Sequence, residues 1–348
     1  MIIKTFKFSG KKVFSMLLII FIILIPIFVI PVIKNMPNNL GYLPNGETSN
    51  FLELWNVDTF EGGSASRSVF LEKVAIDFEN QNRGVYIVIK NLTKAQAEEQ
   101  LKQGVEPDLV SFGVGAGDLF KPYLIDLNVT YNVKSTVADG GKSDGKQLVL
   151  PWCLGGYVLC SKEGINQQSL NVTDNNVLGY GEETTVPLKA LNNDSYDKNI
   201  LYEKCLDKYT QYQAYQDFLQ DKFKILLGTQ RDFYRLQNRI STGALDCNFQ
   251  FLGNYTDLIQ WIGVFNKETE LTTTKAFIEY LLSETQQKKL YKLGMFSATN
   301  VTVYEDNKYS EYFEFERVIK DVSKVGNAFL TDIEIKQEQQ NVFAKLFS

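Results

Sequence analysis

Hydrophobic positions fall into different regimes along the chain. Residues 13–33 (VFSMLLIIFIILIPIFVIPVI) contain no charge and are interrupted only by Ser15, Pro26 and Pro31. As a helix rising 1.5 Å per residue, such a run reaches about 30 Å, the thickness of a bilayer hydrocarbon core. Lys4, Lys7, Lys11 and Lys12 precede it and only Lys34 follows closely. The positive-inside rule then leaves residues 1–12 in the cytoplasm and the remainder outside the cell. The run is longer than the apolar part of a usual signal peptide and no A-x-A-like site follows. It therefore reads as a permanent signal anchor, with cleavage as the alternative. Residues 34–50, rich in Asn, Pro and Gly and without periodicity, suit a linker.

Beyond the linker the pattern changes to short alternating and helical segments. Residues 51–55 alternate like a strand, and 61–66 (EGGSAS) are a Gly/Ser loop. Over 67–81, Phe70, Val74, Ile76 and Phe78 fall near helical spacing. A β-branched run predicts a strand over 84–89. A Thr93/Gln96 capping box opens a helix ending at Gly104, and 107–112 is again a strand. Strands alternating with helices in this way predict a parallel sheet with crossover helices.

The later elements are less regular. Residues 148–160 form an extended apolar stretch interrupted by Pro151 and Gly155–Gly156, and 169–199 are polar and irregular. A helix rich in Tyr and Gln is predicted over 203–221 and a strand over 222–227. A helix from about 230 to 239 follows, with Thr229 as N-cap and Asp232 three residues on. Residues 257–265 are apolar. Over 273–293 an amphipathic pattern places Phe277, Leu281, Leu282, Leu290 and Leu293 on one side and ends at Gly294. The C-terminus is helical and charged.

Composition narrows the functional classes. A chain of 348 residues, 44% apolar and 22% charged, is long enough for two lobes with separate cores. The net charge of -5 argues against a nucleic-acid binder working through a basic field. There is no histidine, which removes His-ligated zinc, Ser-His-Asp or Cys-His nucleophiles and any imidazole base. No metal or other cofactor is expected. Cys153, Cys160, Cys205 and Cys247 could pair in an oxidising compartment in three ways, or remain buried thiols.

Three motifs bear on chemistry. Gly113-Val-Gly-Ala-Gly117 follows a strand but departs from G-x-G-x-x-G, and reads as a tight turn where backbone nears a ligand or a lobe edge. Ser143-Asp-Gly-Lys146 matches Ser-x-x-Lys without a companion Lys-Thr-Gly, and reads as a solvated turn. Trp55, Phe60, Phe112, Trp152 and Tyr157 stand at strand ends or turns. Such rings either fill core or stack on the C–H faces of sugars. The loop 56–66 follows the carboxyl end of a strand, where ligands bind in open parallel sheets. Gly228-Thr-Gln-Arg-Asp232 repeats the arrangement in the second half, with Arg231 and Asp232 either capping the helix or reading a ligand.

These residues resemble a known family. Leu52-Glu-Leu-Trp-Asn-Val-Asp-Thr-Phe-Glu-Gly-Gly63, the helix from Phe70 and Pro107-Asp-Leu-Val-Ser-Phe-Gly113 resemble the first lobe of extracellular solute-binding proteins of ABC transporters, most of all the maltose-binding, sugar-binding branch. Residues 151–159 resemble that family's first lobe-crossing strand, and 276–297 its late helix. The resemblance spans most of residues 51–300, and two features depart from it: the anchor, and residues 166–199.

The resemblance implies two α/β lobes hinged by two or three crossing segments, with lobe 1 from 51–151 and 262–300 and lobe 2 from 152–261 and 301–348. It also implies a binding subunit that works with permease subunits and performs no chemistry on a carbohydrate or similar solute. The expected ligand contacts are Trp55, Asp58, Glu61 and Gly62, then Phe112 and Gly113, and from the crossing and second lobe Trp152, Tyr157, Gln230, Arg231 and Asp232. The alternatives are an extracytoplasmic glycan hydrolase using two carboxylates and a ligand-sensing partner of a membrane receptor.

Overall fold

Chain order sorts the strands into two sheets. In the computed structural model the described residues are 50–128, 131–162, 178–191, 205–267 and 271–347. The apolar run 13–33 and most of the linker lie outside them. Strands β1 (Asn50–Val57), β2 (Val85–Asn91), β3 (Leu109–Phe112) and β4 (Val149–Leu154) belong to a first sheet. The chain then lays down β5 (Tyr157–Ser161), β6 (Leu178–Gly181), β7 (Cys205–Tyr209), β8 (Ile225–Thr229) and β9 (Asn248–Leu252) in a second. It returns to the first with β10 (Ile259–Val264) and β11 (Phe296–Ser297). The strand orders are β11-β4-β10-β3-β1-β2 and β9-β5-β8-β6-β7.

The first sheet is buried through its middle. Every residue of β3, β4 and β10 is buried, as expected of strands covered on both faces. β1 and β3 are parallel, and β10 runs antiparallel to β3 and β4. Helix α1 (Arg67–Gln81) buries Phe70, Leu71, Val74, Ala75 and Phe78. Ile76, expected on that stripe, is 55% exposed, because it lies two positions from both Val74 and Phe78 and so on the far side of the turn. Helix α2 (Lys94–Lys102) opens on the expected Thr93/Gln96 box. The stretch 148–160 is two strands, broken at Gly155–Gly156. Pro151 is tolerated inside β4 because the facing strand shifts register between Gln260 and Trp261.

The second sheet differs from expectation in two places. The helix expected over 203–221 begins only at α3 (Gln211–Leu219), where Thr210 and Gln213 form a capping box, and β7 precedes it, paired parallel with β6. β6 itself lies in the stretch read as irregular. Gly179 makes room there for Phe223, since a Cβ would stand 2.0 Å from the ring. Helix α4 (Gln230–Ser241) starts on the expected Thr229/Asp232 box. The amphipathic pattern over 273–293 is divided into α5 (Leu271–Leu281), a short turn at Glu284–Gln287 and a 3-10 segment, and it ends on Gly294 at φ 64°.

Three segments join the sheets. They are the Gly155–Gly156 turn, the stretch between β9 and β10, and the chain after β11 leading into α6 (Asp306–Lys320). α6 packs on the second sheet, with Phe315 stacked on Phe251 at 4.4 Å. Lys324–Val325 then returns to pair in parallel with Tyr255–Thr256, so the hinge contains a small ladder of its own. The last helix, α7 (Asp332–Phe347), lies against the 3-10 turn Pro187–Ala190. Residues 51–348 form a compact unit with its own core, which closes without the preceding segment. Cys153, Cys160 and Cys247 are buried free thiols. Among the described residues no helix is long and apolar enough to cross a membrane.

Candidate functional site

The carboxyl ends of β1, β2 and β3 face the second lobe and bound a crevice. At its floor a buried polar chain fixes the amide of Asn56. Gln260 Nε2 donates to Asn56 Oδ1 (3.2 Å) and Ser111 Oγ (3.0 Å), and Trp152 Nε1 donates to the same Ser111 hydroxyl (3.1 Å). Asn56 Nδ2 in turn donates to Asn91 Oδ1 (3.1 Å) and Asp58 Oδ1 (3.2 Å). These bonds fix the Asn56 carboxamide from three sides, while Gln260 Oε1 is buried without a hydrogen-bond partner among the described residues. Asp58 is further held by Arg67 Nε at 2.9 Å. Arg67 is itself buried, bonded to the Phe60 carbonyl, and its guanidinium lies 4.1 Å from the centre of the Phe60 ring.

Above this floor lies a cavity of 680 Å³. The β1 end supplies Asn56, Asp58 and Thr59, α1 supplies Ser68, the β2 end supplies Asn91, and the start of α2 supplies Thr93, Lys94 and Gln96. Thr184 reaches in from the second lobe, where its hydroxyl donates to the Thr59 carbonyl at 2.9 Å. Lys94 stands between Asp118 (3.4 Å) and Asp332 (3.0 Å). Gly115, at φ 82°, completes the wall. Most of the lining residues carry a hydroxyl, carboxamide or carboxylate, Leu92 adds an apolar side chain, and among the described residues no aromatic ring lines the cavity.

At the other end of the crevice the chain bridges itself. Glu61 takes a two-point contact from Arg235, with Nη1 to Oε2 at 2.9 Å and Nη2 to Oε1 at 2.7 Å. Gln230 Nε2 donates to the Glu61 carbonyl (3.2 Å) and Arg231 Nη1 to the Gly63 carbonyl (2.5 Å). Gly155 lies so close to Gln230 that a Cβ would stand 2.3 Å from its Oε1. That oxygen accepts from the Gly156 amide at 3.0 Å. Asp232 is fully buried beneath. Its Oδ2 accepts from the Thr229 amide (2.9 Å) and Gln211 Nε2 (3.1 Å), and its Oδ1 is 3.4 Å from Arg235. Burial pushes the Asp232 carboxyl up to about 6, against the opposing pull of those hydrogen bonds. Asp232 thus caps α4 and braces Arg235 from inside the lobe.

The structure divides the expected site residues. Asp58 lines the cavity, and Glu61, Gln230 and Arg231 meet across the lobes, with Gly62 beside Glu61 in the same loop. Gly113 lets that loop cross it, since a Cβ would stand 2.3 Å from Thr59 Oγ1. Trp55, Phe112, Trp152 and Tyr157 are core residues. Trp152 stacks on Phe70, Phe112 packs against Phe120 and Phe329, and the Tyr157 hydroxyl donates to Asp257 (2.5 Å). Rings with no free face have none to offer a sugar. Asn91, Thr184 and Arg235 escaped the sequence reading. Arg235 could have been found, since it lies one helical turn beyond Arg231 and three residues after Asp232. Asp144 and Gly145, both at positive φ, make the Ser143–Lys146 stretch an exposed hairpin turn. Among the described residues no group of three or more acidic or thiol side chains could hold a metal.

No family model and no curated protein matches this sequence. Solved structures do match it, over most of its length. The GacH receptor of Streptomyces glaucescens, solved unliganded and with acarbose, is 13% identical, with a TM-score of 0.59 over 87% of this chain and 95% of that one. A cyclic alpha-maltosyl-1,6-maltose binding protein from Arthrobacter globiformis is 11% identical, with a TM-score of 0.59 over 86% and 94%. Thiaminase I from Bacillus thiaminolyticus is 14% identical, with a TM-score of 0.57 over 86% and 100%. At such identities the likeness is one of fold. The chain has the two-lobed α/β fold of extracellular solute-binding proteins, a fold that an enzyme also adopts.

Proposed function

We propose that this chain is the membrane-anchored, extracytoplasmic binding subunit of an ABC importer. On this reading it holds a carbohydrate or similar polyhydroxylated solute in the interlobe crevice, releases it unmodified to permease subunits, and is tethered by residues 13–33. The observation that carries the reading is the 680 Å³ cavity, walled by both lobes and lined with side-chain hydroxyls, amides and carboxylates. Fixed donors and acceptors of this kind suit hydroxyl groups, which both donate and accept. Asp58 and Asn91, both held by the buried Asn56 amide, would read hydroxyls from the first lobe and Thr184 from the second. A solute touching both lobes stabilises the closed arrangement by its differential affinity for it, without any covalent step. The Glu61–Arg235 contact favours the same closed arrangement.

The test is a thermal-shift screen of the full chain in detergent against mono- and oligosaccharides, amino acids, polyamines and oxyanions, with the bound solute recovered and weighed. A shift of several degrees with one polyhydroxylated class, and intact solute on recovery, is the expected result. Binding confined to amino acids, polyamines or oxyanions would overturn the substrate class, and a cleaved solute would overturn the absence of chemistry.

A further inference from the structure

A second cavity, of 580 Å³, lies at the hinge and shares no residue with the crevice cavity. One side is the small ladder that joins the lobes, with Tyr255 from the second crossing and Lys324–Val325 from the return strand. The other is the last part of α7, where Val342 and Lys345, three residues apart, present one face. Earlier in α7 the helix is fastened to the neighbouring segment, with Gln339 Nε2 donating to the Thr185 carbonyl (2.8 Å) and Glu338 paired with Lys189. Val342 and Lys345 follow this fastening and face the gap.

The lining has two characters. Leu188, Leu191, Val325 and Val342 make an apolar wall, continued by the Tyr255 ring, over which Lys189 Nζ lies 5.1 Å from the centre. Lys189, Lys324 and Lys345 supply three ammonium groups, while the one carboxylate engaged there, Glu338, is taken by Lys189. Lys324 and Lys345 have no acidic partner among the described residues. An inorganic anion would leave the apolar wall wet, and a neutral apolar molecule would leave the ammonium groups unanswered. A cavity of several hundred Å³ suits one short chain rather than a two-chain lipid.

From this combination we infer that the hinge cavity is a second ligand site, taking a medium-chain aliphatic carboxylate with its chain against the Leu188–Val342 wall and its head between Lys324 and Lys345. Because the ladder strand and α7 form its two sides, an occupant ties the hinge to the C-terminal helix. The inference does not depend on the crevice being a sugar site.

The self-contained unit of residues 51–348, which needs no detergent, can be titrated calorimetrically with octanoate. One saturable site is expected. Charge reversal in a Lys324→Glu/Lys345→Glu double variant and cavity filling by Val342→Trp should each weaken binding by about tenfold or more, with thermal unfolding of both variants still cooperative. Octanamide and inorganic phosphate should each bind about tenfold more weakly than octanoate. Failure of octanoate to bind, parental affinity in either variant, or equal affinity for octanamide or phosphate would overturn the assignment.

Discussion

The two ends of the crevice solve different problems. At one end the lobes meet through the chain's own groups: the Glu61 carboxylate in the fork of Arg235, and the loop carbonyls of Glu61 and Gly63 taken by Gln230 and Arg231. At the other end they stand apart over a polar cavity, spanned by the Thr184 hydroxyl on the Thr59 carbonyl and by Lys94 paired with Asp332. The first end supports closure whatever occupies the crevice. The second turns polar side chains toward the cavity, so on the proposed reading selectivity belongs there. Closing strength and choice of solute can therefore be altered separately, by different substitutions.

The largest effect is expected where a residue belongs to neither end. Trp152→Ala removes a fully buried ring, its hydrogen bond to Ser111 and its stack on Phe70. It should cost about 3–5 kcal/mol in urea unfolding. Loss of solute affinity with unchanged stability would instead return Trp152 to the site.

Next comes the pH dependence of the latched end. The Asp232 carboxyl titrates at about 6 in the folded chain, against about 3.9 when unfolded. Between those values the unfolded state binds fewer protons than the folded one. Stability therefore falls as pH rises from about 4 to about 6, by roughly 2–3 kcal/mol, and stays lower above that window. Asp232→Asn should flatten this part of the parent-minus-variant difference in urea melts. Asp257, buried and shifted in the same direction, would leave its own slope in both chains.

Smaller still is the latch itself. The Glu61 side chain is 36% exposed, so the pair with Arg235 is worth about 1 kcal/mol. Glu61→Gln should lower the ratio of closed to open molecules about fivefold, read by distance between labels on the two lobes, without changing which solute binds. At the open end, Thr184→Val keeps shape but loses the hydroxyl. It should weaken solute binding by up to about fivefold, as measured by calorimetry, while stability stays within about 0.5 kcal/mol of the parent.

Local signals explain what could be foreseen. The capping boxes at Thr93 and Thr229 and the stripe from Phe70 to Phe78 are written in residues three or four apart, and the helices form where they point. The strand β6 carries no such signal, because its place depends on Phe223 covering Gly179 from a distant part of the chain. Tyr and Gln around residues 205–215 imitate a helical period, and only the pairing with β6 shows that Cys205–Tyr209 is a strand. The crevice position of Asp58, Glu61, Gln230 and Arg231 was legible, since these polar residues sit on loops and helix starts that such a fold directs toward the crevice. The aromatic rings were not, because strand position marks neither depth nor which face is covered. Trp152 and Phe112 stand near strand ends yet are roofed by Phe70, Phe120 and Phe329.

On the proposed reading a solute holds the two lobes together across an interlobe crevice. Spin labels at the exposed positions Glu72 in α1 and Gln213 in α3 would report the lobe separation during titration with the polyhydroxylated solute that gives the largest thermal shift. A single saturable shift of the distribution toward the shorter distance is expected, at the concentration that saturates calorimetric binding, with Thr184→Val requiring more solute to reach it. A distance distribution unmoved at saturating solute would contradict that reading.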